Sequence, residues 1–379
     1  MMRRNQFTRR FVIPALLIAA MPAWMGQTCG IDMNGNQNQN QNQNNNQNNN
    51  SDDGVRRIYG DGSAGAKVVS SDENWNSAAN RQTNLQFTDL TIESGVTLTI
   101  PSGMTIRCKG KFTNHGTITV RTAAEGGFNG LDDPNGPDFA FTATPAAEGI
   151  ASGAAALGES GDSSAALRAG RGGDGLSEFE SRVLLSPGIK AGGGGAAGGL
   201  DTDGTGVSTR AGADGGGSVV ILARDEILNT GSILAEGQDA NIPGGNDLGG
   251  GGGGGVVILA STTCINNEGN LSADGGDGED ADSNNAPSGG GGGGIVHLVA
   301  PEIENTGQTT AAGGICGANT AQLTDDAQRF AGGGGGASAG RGGKGGSVPA
   351  GAGPITAGEA ENGAEGFVFE SQLDPSQLF

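Results

Sequence analysis

The chain has 379 residues, 76 of them glycine, and 41 acidic against 21 basic residues give it a formal charge of −20. That balance excludes a phosphate backbone as a natural partner, and two histidines leave little for a zinc site or a Ser-His-Asp relay. Glycine at this level usually signals disorder, but these glycines gather in blocks, at 192–195, 249–255, 289–294 and 332–336, instead of spreading evenly.

The N-terminus reads as an export signal over 1–28. Arg3, Arg4, Arg9 and Arg10 precede the apolar run 11–20, which is too short for a membrane span. The paired arginines fit an ordinary basic n-region better than a twin-arginine signal. Gly26 and Thr28 supply small side chains for cleavage before Cys29. A new N-terminal cysteine resembles the acylation site of bacterial lipoproteins, although Gly26 stands where that pattern favours leucine. Membrane contact is expected only through such an anchor. Residues 29–54 follow as a tether: 34–50 is almost wholly Asn and Gln, with no apolar side chain to bury.

Residues 55–121 form an N-terminal β module. Leu90 and Ile92, then Val96, Leu98 and Ile100, then Met104 and Ile106 recur between Ser-Gly turns, the spacing of short strands in solenoid coils or a sandwich. Residues 122–214 read as a glycine-rich insertion in which only 183–185 looks like a strand. From 215 to 379 the chain repeats itself. VVILARDEILNTGSILAEG from Val219 returns from Val256 and from Ile295, and Gly231, Gly269 and Gly307 mark a period of 38 residues. A fourth copy starts at Met104, with Gly116 in the same place. In the copies from Val219, Val256 and Ile295 the first strand is a nearly unbroken apolar run, suited to cover on both faces, and each copy then has a turn carrying Asn-x-Gly, residues tolerant of a left-handed backbone. An alternating strand follows, in which Ile233 and Ala235 point one way and Ser232 the other. Ile221, Ile233, Ile258, Leu271 and Val296 are expected in one shared apolar stack. The fold class is therefore all-β, a right-handed parallel β-solenoid or β-helix-like stack of about 38-residue repeats with glycine-rich loops. The glycine blocks admit two readings: flexible loops between coils, or extended segments packed backbone to backbone.

Candidate chemistry is sparse. Gly60-Asp61-Gly62-Ser63-Ala64-Gly65 fits GxGxxG but no helix follows it. His297 lies in an apolar strand and reads as a ring satisfied locally. Calcium is the one cofactor suggested, because Asp274, Asp277, Glu279, Asp280 and Asp282 fall close together on glycine-rich backbone. The competing reading is a solvated acidic loop, since the calcium-binding nonapeptide pattern fails at Asp282 and is not repeated. Export permits disulfides, and Cys264 with Cys316 is the favoured pair because both lie in the repeats.

Gly60-Asp61-Gly62-Ser63, Leu90-Thr91-Ile92, Ser94-Gly95-Val96-Thr97-Leu98, Asn114, Gly116-Thr117-Ile118 and the closing Gly366-Phe367-Val368-Phe369 resemble motifs of a group of glycine-rich bacterial surface proteins and phage-type adhesins. The resemblance implies an elongated solenoid displayed outside the cell, with no catalytic residues to carry across. The expectation is an extracytoplasmic, non-catalytic structural or adhesion protein, anchored or secreted, whose partners are the cell envelope or surface glycans and not nucleic acid. The alternative is a carbohydrate-active β-helix enzyme using acidic flank residues, against which the region from 215 onward has no Trp or Tyr for sugar stacking. The sequence assigns no oligomeric state.

Overall fold

The computed structural model describes residues 58–126, 128–131, 141–144, 146–148, 154–175, 192–196, 210–240, 249–326 and 329–378. All belong to one compact unit, 42–379. The export signal, Cys29, the Asn/Gln tether and residues 183–185 lie outside the described residues.

Three six-stranded sheets, parallel throughout, account for most of the strands. Face 1 stacks Lys67–Val69, Leu90–Ile92, Phe112–Asn114, Ile227–Asn229, Cys264–Asn267 and Glu302–Asn305. Face 2 stacks Glu73–Asn74, Thr97–Ile100, Thr117–Val120, Ser232–Leu234, Asn270–Ser272 and Gln308–Thr310. Face 3 stacks Gln86–Phe87, Met104–Cys108, Ser218–Ala223, Val256–Ser261, Ile295–Val299 and Phe367–Ser371. The chain visits the faces cyclically, so each circuit lies on the one before it, the arrangement of a β-solenoid-like all-β fold. The N-terminal module and the later repeats are one stack: Met104–Cys108 pairs directly with Ser218–Ala223, with Ile106 opposite Ile221.

The apolar pattern explains the core. Ile118, Ile233 and Leu271 stack inside face 2, and Ile221, Leu259 and Val296 project inward from face 3, all fully buried. Face 3 is covered on both sides, as its unbroken apolar runs require. Its alternate residues, Val220, Ile258 and Ile295 among them, point outward into a second cluster with Tyr59 and Ala339. Ile258 is therefore a correction to the expected single stack. It is buried, but one residue out of phase with the interior set, and alternation along a strand sends it to the other side.

At the corner between faces 1 and 2 an asparagine column replaces apolar packing. Asn114 Nδ2 donates to Asn229 Oδ1 at 2.8 Å, Asn229 Nδ2 to Asn267 Oδ1 at 2.7 Å, and Asn267 Nδ2 to Asn305 Oδ1 at 2.8 Å. Asn305 closes the column on Glu370 Oε1 at 2.8 Å. Each amide satisfies the next, which makes burial of these polar groups tolerable. The glycines that follow do not adopt the left-handed backbone expected of them; the positive-φ glycines lie elsewhere. Stacking is the constraint instead. A Cβ on Gly231 would stand 1.9 Å from Gly116 O, and one on Gly269 2.0 Å from Gly231 O.

Between faces 2 and 3 the chain leaves the solenoid four times, at 121–217, 235–255, 273–294 and 311–366, and these excursions carry the glycine blocks. They pack backbone to backbone. Gly250 N donates to Ala196 O, Gly251 to Gly289, Gly252 to Gln238, Gly253 to Gly193, Gly254 to Gly292 and Gly255 to Ala235, at 2.7–2.9 Å. Every third donor returns to the same neighbour, which is the signature of a threefold extended helix. The same segment accepts from Ala213 and Gly216, from Gly336, and from Gly276, so it has six segments around it. Such spacing leaves no room for a side chain: a Cβ on Gly291 would lie 1.9 Å from Gly252 O. Of the two readings of the glycine blocks, the packed one describes the structure. Within 122–214 short antiparallel strands also occur, Phe128–Leu131 pairing with Phe141–Thr144 and with Arg210–Ala211.

Two substitutions test this description. Ile233→Asp removes a buried apolar side chain and inserts an unpaired charge, and should lower stability by at least about 3 kcal/mol, whereas Ser232→Asp on the outer side should be nearly silent; equal thermal melts for the pair would overturn the register. Gly291→Ala carries opposite signs in the two readings of the glycine blocks. In a flexible loop it would stabilise by about 0.4–1 kcal/mol through the unfolded chain, but in the packed bundle the overpacking should destabilise by about 1–3 kcal/mol, readable in a chemical denaturation curve.

Candidate functional site on the glycine bundle

Where bundle segments reach the surface, threefold geometry turns every third residue outward. Along 273–281 these residues include Asp274, Asp277 and Asp280, and their carboxylates have a shared task. Asp274 Oδ1 accepts Ala312 N–H at 2.6 Å, Asp277 Oδ1 accepts Ile315 N–H at 2.7 Å, and Asp280 Oδ1 accepts Ala318 N–H at 2.6 Å. Asp239 does the same for Asp277 N–H at 2.8 Å. Among the described residues no backbone carbonyl takes these donors at the bundle's margin, and a carboxylate supplies the acceptor.

The five residues considered for calcium are thus distributed along a chain rather than gathered around a point. Asp282 turns back on its own loop, its Oδ1 accepting from Asn284 N and Asn285 N at 2.7 and 2.9 Å, and Glu279 N donates to Ser288 Oγ at 2.6 Å. Among the described residues no group of three or more His, Cys, Asp or Glu side chains is arranged to hold a metal ion.

The favoured disulfide is not formed. Cys264 begins a strand of face 1 and is buried in the solenoid, whereas Cys316 sits in the bundle segment 311–318; sharing a repeat region in sequence does not place them in one layer. Burial pushes the Cys108 thiol up to about 12 and raises that of Cys316 as well, so neither is an activated nucleophile. His297 is buried in face 3, its Nε2 2.8 Å from Ser371 Oγ and its ring edge-on to Phe369 at 5.5 Å, so the Nε2 side of the ring is held locally. Gly60, Gly62 and Gly65 of the GxGxxG match adopt positive φ, and the next element is the strand Lys67–Val69, so the phosphate-binding helix is missing there.

Sequence reasoning missed a cationic depression of about 780 Å³ on the bundle. Arg168 and Lys344 stand at it, and Ser347, Pro349 and Thr356 contribute to its wall. Leu167, Val348 and Ala357 are buried beneath, in a small apolar cluster. The segments run antiparallel: Leu167 and Val348 exchange backbone hydrogen bonds at 2.8 and 3.0 Å, and Gly345 N reaches Gly170 O at 3.0 Å. A buried guanidinium fixes the loop between Pro349 and Thr356. Arg329 donates to Gly351 O at 2.6 Å, Gly353 O at 2.8 Å and Asp326 Oδ1 at 2.7 Å. The sequence signal for this site is the i, i+3 spacing of Arg168 with Arg171 and of Arg341 with Lys344, in a chain otherwise dominated by acids.

No helix of the described residues is long and apolar enough to cross a membrane. Comparison with family models, with curated proteins and with solved structures finds no match for this chain.

If the acidic row serves the backbone, Asp277→Ala should lower stability by about 1 kcal/mol, the worth of one exposed charge-assisted hydrogen bond, and calcium should leave the melting temperature of the unaltered protein unchanged. A calcium-dependent rise lost in Asp277→Ala would restore a metal role.

Proposed function

We propose that this is an exported, non-catalytic protein that acts by surface contact at a cell envelope, a right-handed solenoid of 38-residue units supporting a rigid glycine bundle. The basic-then-apolar N-terminus and the Asn/Gln tether support export and display. In this reading Cys29 carries a lipid, and the tether holds the folded unit clear of the membrane.

The observation that carries the proposal is the bundle itself. Its backbone groups are consumed by one another and its margin carboxylates by neighbouring N–H groups, which supports a stiff surface that meets a partner without first rearranging. A glycosidase or lyase needs carboxylates positioned for proton transfer on a sugar, whereas Asp274, Asp277 and Asp280 each hold a neighbouring backbone N–H. The partner class in this reading is an envelope or surface glycan.

Purified full-length protein should sediment with envelope material from bacterial cells and release no reducing sugar from a panel of polysaccharides. Turnover of any one of them, abolished by replacing a single carboxylate, would replace the contact reading with an enzyme. Intact mass of the exported protein should carry a diacylglyceryl group at Cys29; an unmodified terminus would make the protein secreted rather than anchored.

A further inference from the structure

We propose that the depression between 166–169 and 344–349 binds the carboxylates of an extended acidic polysaccharide, with Arg168 and Lys344 as the charge partners and Ser347 and Thr356 as hydroxyl partners. This inference rests on the surface-contact reading and names the ligand class and place of contact.

Four observations converge on the site. In a chain of net charge −20, Arg168, Arg171, Arg341 and Lys344 are brought onto two adjacent antiparallel segments, and all four are exposed. Arg171 is engaged by Asp174 at 2.5 Å, which leaves Arg168, Lys344 and Arg341 to face solvent. Arg168 and Lys344 share one depression. Its apolar floor of Leu167, Val348 and Ala357 suits the carbon face of a sugar ring. The wall is held in place, because Arg329, fully buried, clamps the carbonyls of Gly351 and Gly353 in the loop that carries Pro349 and Thr356.

Spacing selects the ligand. An extended threefold helix rises about 3.1 Å per residue, so outward residues three apart are separated by about 9 Å. Arg341, Lys344 and Ser347 form one such row, and Arg168 approaches Ser347 from the neighbouring segment, since Leu167 lies opposite Val348. A row of cations at that interval matches a polymer bearing one carboxylate on alternate sugars. The far denser charge of a nucleic acid backbone would instead meet mainly the acidic remainder of the surface. The acids around Arg168 in sequence are occupied: Asp162 accepts from Ser164 N–H at 2.8 Å, Asp174 pairs with Arg171, and Glu159 Oε2 accepts the Arg168 backbone N–H at 2.8 Å, so the guanidinium is left for the ligand.

Affinity electrophoresis of the full chain through gels containing hyaluronan, with dextran as the neutral polymer, tests the site. The protein should be retarded by hyaluronan and not by dextran, and raised salt should abolish the retardation. Arg168→Glu with Lys344→Glu should weaken binding at least tenfold, and the gentler Arg168→Gln with Lys344→Gln severalfold, with thermal melts unchanged because both side chains are exposed. Arg121→Glu with Arg224→Glu alters net charge equally beside the face 2 and face 3 strands, outside the depression, and should bind like the unaltered protein. Equal losses in the two charge-reversed pairs, or tighter binding of single-stranded DNA than of hyaluronan, would overturn the assignment. Envelope sedimentation separates the two levels: a chain that sediments with envelope but ignores hyaluronan, or whose Arg168/Lys344 variants sediment undiminished, refutes this site and leaves surface contact standing. A chain that binds neither refutes both.

Discussion

Backbone-to-backbone hydrogen bonding in the absence of side chains is the interaction on which this molecule depends. A net hydrogen bond is worth about 0.5–1.5 kcal/mol, while ordering glycine costs about 0.5–1 kcal/mol more than ordering alanine. With terms so nearly balanced, a free glycine chain would not assemble such a bundle. The solenoid removes much of the difficulty. It holds both ends of 235–255 and of 273–294 in adjacent strands, so the segments begin close together and in register. The apolar stack of Ile233 and Leu271 therefore supports a layer it does not touch.

The asparagine column and the stacked glycines at Gly116, Gly231, Gly269 and Gly307 supply what an oily interior cannot. Apolar side chains tolerate axial slippage, but an amide that donates to the next amide, beside a glycine whose missing Cβ would collide with the carbonyl of the preceding coil, fixes one coil height. The same vertical spacing is passed to the bundle's margin, where Asp239 reaches Asp277 N–H and Asp277 reaches Ile315 N–H, each 38 residues further on.

Much of the solenoid was legible in the residues. The runs around Val219, Val256 and Ile295 announced strands covered on both sides, and the alternation around Ile233 announced a half-buried one, because side chains record which way they face. Ile258 was assigned to the wrong side because an unbroken apolar run carries no phase. Glycine carries less information still: a flexible loop and a packed threefold helix use the same residue. The distinguishing mark was the period of three in what interrupts the glycines, Asp274, Asp277 and Asp280 or Arg341 and Lys344. Read as a local cluster, the first set suggested a calcium site; read as one edge of a helix, it is a row of backbone acceptors. The cationic depression stayed hidden because Arg168 and Lys344 meet only through the antiparallel pairing of segments far apart in sequence.

The two ends of the stack are finished differently. The first circuit plugs the interior with Trp75 lying over Phe87, ring centroids 6.1 Å apart, whereas the last circuit on faces 1 and 2, Glu302–Asn305 and Gln308–Thr310, is written mainly in polar residues. A growing stack offers its open strand edges to any similar chain, and polar, charged residues there discourage another copy from adding on. The final coil on faces 1 and 2 thus presents an edge on which a further apolar coil would find no matching side chains, so the stack ends where its residues change from apolar to polar.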